Sequence, residues 1–204
     1  MQVQKISIRR AILEVAREEL FEKGFKGTSM RSIAQKSEVG LSNIYNYFKN
    51  KDEILLAVIQ PLLNAIDKME AEHNDEKNLN IELLSSDAFL KENIVKMVNL
   101  VEGFRRELRL LFFHAYGSSL ENFKNEFIDR STRMGIEFLR KIKAKYPFLN
   151  TEISPFFVHV HCSFEVTIIC EVVAHEELSH IELERFMTNY MQFSTAGWKT
   201  ILGA

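Results

Sequence analysis

The sequence predicts an all-α chain: a head of three short helices followed by a larger helical body. Three observations carry this expectation. Apolar residues recur at helical spacing along nearly the whole chain. No stretch of strict polar–apolar alternation reaches strand length with turn signals on both sides. Only three prolines, Pro61, Pro147 and Pro155, interrupt the pattern. With 204 residues the chain can bury a substantial core, as one large domain or two small ones. The expected division is a head over residues 1–51 and a body over residues 52–204.

The first helix is expected over residues 8–23, where Ile8, Ile12, Val15, Ala16 and Leu20 keep helical spacing and Gly24 supplies a stop. Thr28 is placed to cap a second, short helix, "SMRSIAQK". The break "SEVG" separates it from a third helix, Leu41 to Phe48. Asn50 and Glu53 form a capping-box pattern that starts a fourth helix, running to about Glu72. Pro61 lies inside that helix and is expected to kink it or to begin a new segment. "HNDEKNLN", residues 73–80, is the most polar stretch and reads as a loop. Body helices are expected at about 84–101, 104–116, 119–145, 155–174 and 180–202, with "YPFLNTEISP" breaking the chain before the last two.

Composition narrows the function classes. The chain is 46% apolar and 26% charged, in the range of ordinary globular proteins. No run approaches 18 apolar residues, so no membrane span is expected. The N-terminal stretch lacks the apolar segment of a secretory signal, and a cytoplasmic location is the expectation. Cys162 and Cys170 would stand about 12 Å apart on one helix, too far for a disulfide, so two free buried thiols are expected. His159, His161, His175 and His180 lie near Cys162, Cys170 and Glu165. A separation of two residues does not put ligands on one helical face, and neither a metal site nor a cofactor is expected. No nucleophile motif, P-loop or dinucleotide fingerprint occurs, so no enzymatic activity is expected.

Charge points to a partner. The net charge of −2 conceals an asymmetry: residues 1–51 hold ten Lys/Arg against five Asp/Glu, and the rest hold sixteen against twenty-three. A basic head on an acidic body suggests an anionic partner at the head. The segment "LSNIYNYFKNKDEIL", residues 41–55, mixes aromatic surface with hydrogen-bond donors and has no acid before Asp52. Two short helices separated by a tight turn, the second rich in such groups, fit a helix-turn-helix. Ile33, Ala34, Val39, Ile44 and Phe48 can lock the helix pair. Thr28, Arg31, Ser42, Asn43, Asn46, Tyr47 and Lys51 are donors suited to phosphates and base edges of double-stranded DNA.

Over about fifty residues the chain resembles the N-terminal domain of the TetR family of bacterial transcriptional regulators. The matching features are Gly24-Phe25, Thr28-Ser29, Ile33-Ala34, Val39, Tyr45, Tyr47-Phe48 and Lys51. The resemblance implies a repressor that binds a palindromic operator as a homodimer and is released by a small molecule. It implies that Thr28 and Arg31 open and flank the second helix, where family members touch phosphate and sometimes a base, that residues 41–47 form the recognition helix, and that Asn43 and Asn46 face the groove. It also implies that Tyr47 and Lys51 hold the DNA backbone and that Tyr45 mainly packs. Two positions depart from the family pattern. Glu38 stands where the turn usually has glycine, and Gly40 stands where Ser or Thr usually caps the recognition helix. Gly40 is then expected to supply permissive backbone geometry, with Ser42 turned to a phosphate.

The body carries aromatic stripes: Phe104, Leu108, Leu111, Phe112 and Ala115; Phe123, Phe127, Met134, Phe138 and Ile142; and Phe186, Tyr190, Phe193, Gly197 and Ile201. Stripes at this spacing usually form core. The stock of apolar residues also allows a pocket for an apolar or aromatic effector, with Phe104, Phe112, Phe127 and Phe138 as walls and His114, Tyr116 and Arg105 as polar anchors. Residues 155–174 are almost continuously apolar, and with the stripe up to Ile201 and Trp198 they predict a homodimer through residues 155–202. The rival reading is an all-helical ligand-binding or enzymatic domain that no longer serves DNA.

Overall fold

The computed structural model describes all residues except 1, 74, 76–78 and 82–85, and all side chains except those of 2–4 and 73 as well. Its described part is helical, with no strand: α1 (Gln2–Gly27), α2 (Met30–Lys36), α3 (Leu41–Ile44), α4 (Lys51–His73), α5 (Asp87–Phe113), α6 (Phe123–Lys145), α7 (Pro155–Ala174) and α8 (His180–Leu202). Packing divides the chain into two compact units. One is Met1–Ala65 with Arg106–Phe123; the other is Ile66–Arg105 with Lys124–Ala204. The division expected after Lys51 therefore falls at the start of α4 rather than between units. The head is not one contiguous stretch, because the chain returns to it at Arg106.

The first unit is built on α1, whose apolar face buries Ile12, Ala16 and Leu20 completely. α1 breaks where the glycine was expected to stop it. Gly24 has φ 68 and ψ 176, and a final turn follows. The position requires glycine twice over: the backbone is left-handed, and a Cβ there would stand 3.2 Å from both the Cβ and the carbonyl oxygen of His114. The next amide, that of Phe25, donates to the His114 carbonyl at 2.9 Å. Arg106 adds a two-pronged pair to Glu18 of α1, at 3.1 and 2.7 Å. Ser119 N–H donates to Asp52 at the start of α4, at 2.8 Å.

α2 is capped by Ser29, not by the expected Thr28. Ser29 accepts from the Ser32 amide and Ser32 reciprocates, closing a capping box. α3 is shorter than expected. Four residues are α-helical, and the chain then tightens into turns through Asn46→Asn43, Tyr47→Ile44 and Phe48→Ile44 amide–carbonyl bonds. α4 starts as expected: Asn50 accepts from the Glu53 amide at 2.8 Å, while Glu53 accepts from the Lys49 amide. Its helical backbone continues through Pro61, which is solvent-exposed, so water can satisfy the carbonyl that proline leaves without a donor.

In the second unit, the polar segment 73–80 and the expected helix start at 84 fall largely outside the described residues. The two helices expected at 84–101 and 104–116 form one element, α5, with a break at Phe104 (φ −132, ψ 23) just after Gly103. The Arg105 guanidinium donates to the carbonyls of Val172 and His175, at 2.6 and 3.0 Å. It thereby satisfies the C-terminal end of α7 and is not the effector anchor proposed for it.

α7 begins at Pro155 under a Ser154 cap, and α8 begins under a Ser179–Glu182 capping box, both at the expected places. α7 buries Val158, Cys162, Val166, Ile168, Cys170, Val172 and Val173. Both cysteines are free and buried. In contrast to the composition argument, α7 is long and apolar enough to cross a membrane, with mean hydropathy 1.6 over an 18-residue window. Its buried face accounts for only part of that apolarity. Phe156, Phe157, Val160 and Phe164 on α7, with Ile181, Phe186 and Phe193 on α8, remain exposed in the single chain. The third expected core stripe is thus partly a surface.

Candidate nucleic-acid interface

The helix-turn-helix of the first unit separates an apolar inside from a polar outside. Ile33, Ile44 and Phe48 are essentially fully buried and Ala34 nearly so. Val39 is half-buried in the turn. Arg31, Ser42 and Asn46 are exposed, and Asn43 and Tyr47 are half-buried. Asn46 donates to the Asn43 side chain at 3.2 Å, so the two amides expected to face a groove form one adjoining pair.

Two of the expected contact residues are placed otherwise. Thr28 is 2% exposed, and its hydroxyl donates to the carbonyls of Glu19 and Gly24, at 3.0 and 2.9 Å. It ties the end of α1 to the start of α2 and offers no group to a phosphate. Lys51 is half-buried, and its ammonium donates to the carbonyls of Phe25 and Thr28 while lying 4.0 Å from the centroid of the Phe25 ring. Burial pushes its pKa below the usual lysine range. Two of its three N–H groups are therefore committed inside the head, leaving one to reach outward.

Tyr45 departs in the other direction. Expected to pack, it is 52% exposed and stands on the polar outside. Arg9 was also passed over. It is exposed, and its guanidinium lies 5.1 Å from the centroid of the Phe48 ring, which brings a cation from α1 to the end of the recognition segment. The Arg9-Arg10 doublet within the basic first 51 residues was the available signal; for Tyr45 there was none, because a four-residue helix leaves no periodicity to read.

The turn confirms one departure and corrects the other. Glu38 has φ 55, a left-handed backbone on a non-glycine residue. Gly40, at the N-cap of α3, has φ −53 and ψ 138, which any residue adopts, and a Cβ there would meet nothing within 4 Å. Gly40 thus supplies no special geometry, and α3 simply lacks a side-chain cap.

The expected effector residues do not share one site. Phe112, His114 and Tyr116 belong to the first unit, and Phe104, Phe127 and Phe138 to the second. His114 is exposed and serves through its backbone as the partner of Phe25. Tyr116 is 69% exposed with Lys26 over its ring. Neither is a buried polar anchor. Phe112 instead packs on Phe123, with ring centroids 6.2 Å apart. In the second unit, Phe104 and Phe138 are half-buried, and Phe127 lies under the Arg130 guanidinium at 5.4 Å. Arg130 also faces Glu70 and Asp67, at 3.2 and 3.8 Å. Burial raises the Glu70 pKa against the pull of Arg130. Among the described residues, no group of His, Cys, Asp and Glu is arranged to hold a metal ion.

Known proteins share both the motif and the fold. Residues 12–58 match the profile of the bacterial regulatory proteins, tetR family. A 74-residue stretch is 34% identical to YhgD of Bacillus subtilis (strain 168), described as an uncharacterized HTH-type transcriptional regulator. The match covers 36% of this chain and 38% of that protein's length. Solved structures are similar in fold along most of the chain. A TetR-like transcriptional regulator from Rhodococcus sp. RHA1 gives a TM-score of 0.62 at 18% identity, over 93% of this chain and 96% of that one. A transcriptional regulator of the TerR/AcrR family from Aquifex aeolicus VF5 gives 0.63 at 18%, over 91% and 98%. FadR from Bacillus subtilis in complex with stearoyl-CoA gives 0.55 at 18%, over 89% and 96%. Residues 12–58 thus carry the helix-turn-helix domain of the tetR family of bacterial regulatory proteins, and the chain shares the all-helical fold of TetR-like regulators along most of its length.

Proposed function

We propose that this protein is a sequence-specific DNA-binding regulator of transcription, a repressor that binds a palindromic operator as a homodimer. The observation that carries this reading is the polar outside of the helix-turn-helix, where Arg31, Ser42, Asn43, Tyr45, Asn46 and Tyr47 share one segment of the head over the buried Ile33, Ile44 and Phe48. Asn43 and Asn46 are suited to read base edges, since an amide offers a donor and an acceptor together. Arg31 and Tyr47, with the outward N–H of Lys51, are suited to phosphates.

The second copy is proposed to dock on α7 and α8. The seven exposed apolar side chains there leave roughly 700 Å² open, close to the ~800 Å² per partner of a standard interface. An isologous pairing would present two heads to two half-sites. The effector is proposed to be a small, largely apolar molecule bound in the second unit near Phe127, with Arg130 as the polar group beside it. That FadR from Bacillus subtilis is seen with stearoyl-CoA supports a ligand of apolar character.

The test is a gel-shift titration with DNA flanking the protein's own gene, against scrambled DNA of equal length. Tight binding to the flanking DNA alone supports the reading. Equal affinity for both, or none, favours a helical ligand-binding domain without a DNA role.

A further inference from the structure

The face of α7 and α8 that is open in the single chain is not wholly apolar. A row of four polar side chains runs across it: Trp198, His161, Glu165 and Tyr190. The indole Nε1–H of Trp198 donates to His161 Nε2 at 3.0 Å. The same Nε2 lies 3.3 Å from Glu165 Oε1. The Tyr190 hydroxyl donates to that oxygen, also at 3.3 Å. Phe157 stacks edge-on to Trp198, and Phe164 edge-on to Tyr190, with centroids 5.9 and 6.2 Å apart. The row is therefore framed by the exposed phenylalanines of the dimer face.

One nitrogen faces two incompatible partners. An indole N–H can only donate, so it needs the Nε2 lone pair. An ionised carboxylate can only accept, so it needs an Nε2 proton. A neutral ring with its proton on Nδ1 serves Trp198 and leaves Glu165 held by Tyr190 alone. A ring with a proton on Nε2 serves Glu165 and releases the indole, and only the doubly protonated ring also offsets the carboxylate charge. In the single chain the Glu165 side chain is 46% exposed, and water can solvate its charge. Seating a second copy on this face removes that water, and a carboxylate taken out of water must be paired or neutralised.

We propose that dimerisation through α7 and α8 takes up a proton at His161 of each protomer, making the Glu165 pair ionic as the face is covered. The proposal rests on the dimer reading given above. The other groups near the ring add no competing base. Within α7 the neighbour is the Cys162 thiol, which burial and the Glu165 charge keep protonated. α8 presents Tyr190, whose hydroxyl burial and Glu165 likewise keep protonated. On α6, the Asp129 carboxylate lies 3.9 Å from the ring of His159.

The sign follows. A group that binds its proton more tightly in the dimer strengthens the dimer below its monomer pKa, and the gain fades as pH rises through the dimer pKa. Imidazole is the side chain whose charge changes between about pH 5 and 8, and that is the window in which the effect is read. With one proton per protomer, the dimer Kd rises by up to about two decades per pH unit across that window.

The experiment is sedimentation equilibrium of the full chain at pH 6, 7 and 8 and fixed salt, on wild type, Glu165→Gln and His161→Gln. The sole tryptophan, Trp198, gives a parallel fluorescence titration of the same site. The expected result is a wild-type Kd at least about tenfold weaker at pH 8 than at pH 6. Both variants should be flat with pH, and Glu165→Gln should dimerise tightly throughout because it has no charge to compensate. A dimer whose Kd is constant in wild type overturns the proposal and leaves the dimer reading standing. A slope that survives in both variants overturns the assignment to His161. A monomer at every pH overturns the dimer reading itself, and the proposal with it.

Discussion

Glu38 holds a backbone conformation that side chains avoid, with φ 55 at the centre of the helix-turn-helix turn. A left-handed residue costs about 1–2 kcal/mol, part of which glycine recovers at some loss of chain entropy. Glu38→Gly is therefore expected to raise the urea unfolding free energy by roughly 0.5–1 kcal/mol. It should also tighten DNA binding by removing a carboxylate from the basic head. An unchanged or lowered midpoint would show that the turn relaxes elsewhere. Lys51 and Asn46 were both expected to touch DNA, but their settings separate their roles. Lys51→Ala strips a donor from the Phe25 and Thr28 carbonyls and should cost about 1–3 kcal/mol of stability. Asn46→Ala should leave the melting curve in place and relax base preference at one position, by about 1–3 kcal/mol in competition titrations. Equal destabilisation by both variants would contradict this division. Thr28 and Ser29 are adjacent, and either reads as a helix cap; only the tertiary structure buries Thr28 against the Glu19 carbonyl and leaves Ser29 to cap.

Between elements, α1 and α2 are joined by a carboxylate that sequence reasoning left unremarked. Glu19 is fully buried and is paired with Lys36 of α2, with Lys23 of its own helix at 3.0 Å. The hydrogen bond from Lys36, assisted by those from Lys23 and Ser32, outweighs burial and draws its pKa from 4.5 down to about 2. A depressed folded-state pKa gives stability that is whole above pH 4.5 and is lost as pH falls toward 2. Glu19→Gln should thus lower the unfolding free energy at pH 7 by about 1–3 kcal/mol and flatten its decline between pH 4.5 and pH 2. Urea titrations over that range test it, and an undiminished acid slope in the variant would assign the pH dependence to other carboxylates. The helix boundaries were legible where local chemistry marked them, as at Pro155 and Asn50–Glu53. They were not legible at the ends of α3 and α5, where packing decides how far a helical turn continues.

For the molecule as a whole, DNA binding carries the electrostatic prediction. If each head neutralises about four phosphates, a dimer neutralises about eight, and log K should fall with log salt at a slope near −7. Filter-binding titrations between low and physiological salt measure it. A slope of half that size would indicate one engaged head, and thus a monomer on the DNA. At this scale the sequence reads the head as a continuous stretch, whereas the compact unit that holds the helix-turn-helix also includes Arg106–Phe123. A segment some forty residues downstream leaves no local mark of its role: nothing in the sequence pairs its Arg106 with Glu18, and its His114 reads as an effector anchor until the Phe25 amide is found on its carbonyl.

What the sequence determined by itself is what short-range chemistry encodes: helical class from periodicity, α4 from its cap, the start of α7 from its proline, the glycine break in α1, and the basic, donor-rich recognition segment. The tertiary structure decided what depends on which side of a residue meets protein and which meets water. It turned Thr28 and Lys51 inward and Tyr45 outward, divided the supposed effector residues between two units, and left the phenylalanines of α7 and α8 uncovered. An apolar residue at helical spacing is equally suited to a core or to a partner's surface, and only the arrangement of the remaining chain distinguishes the two.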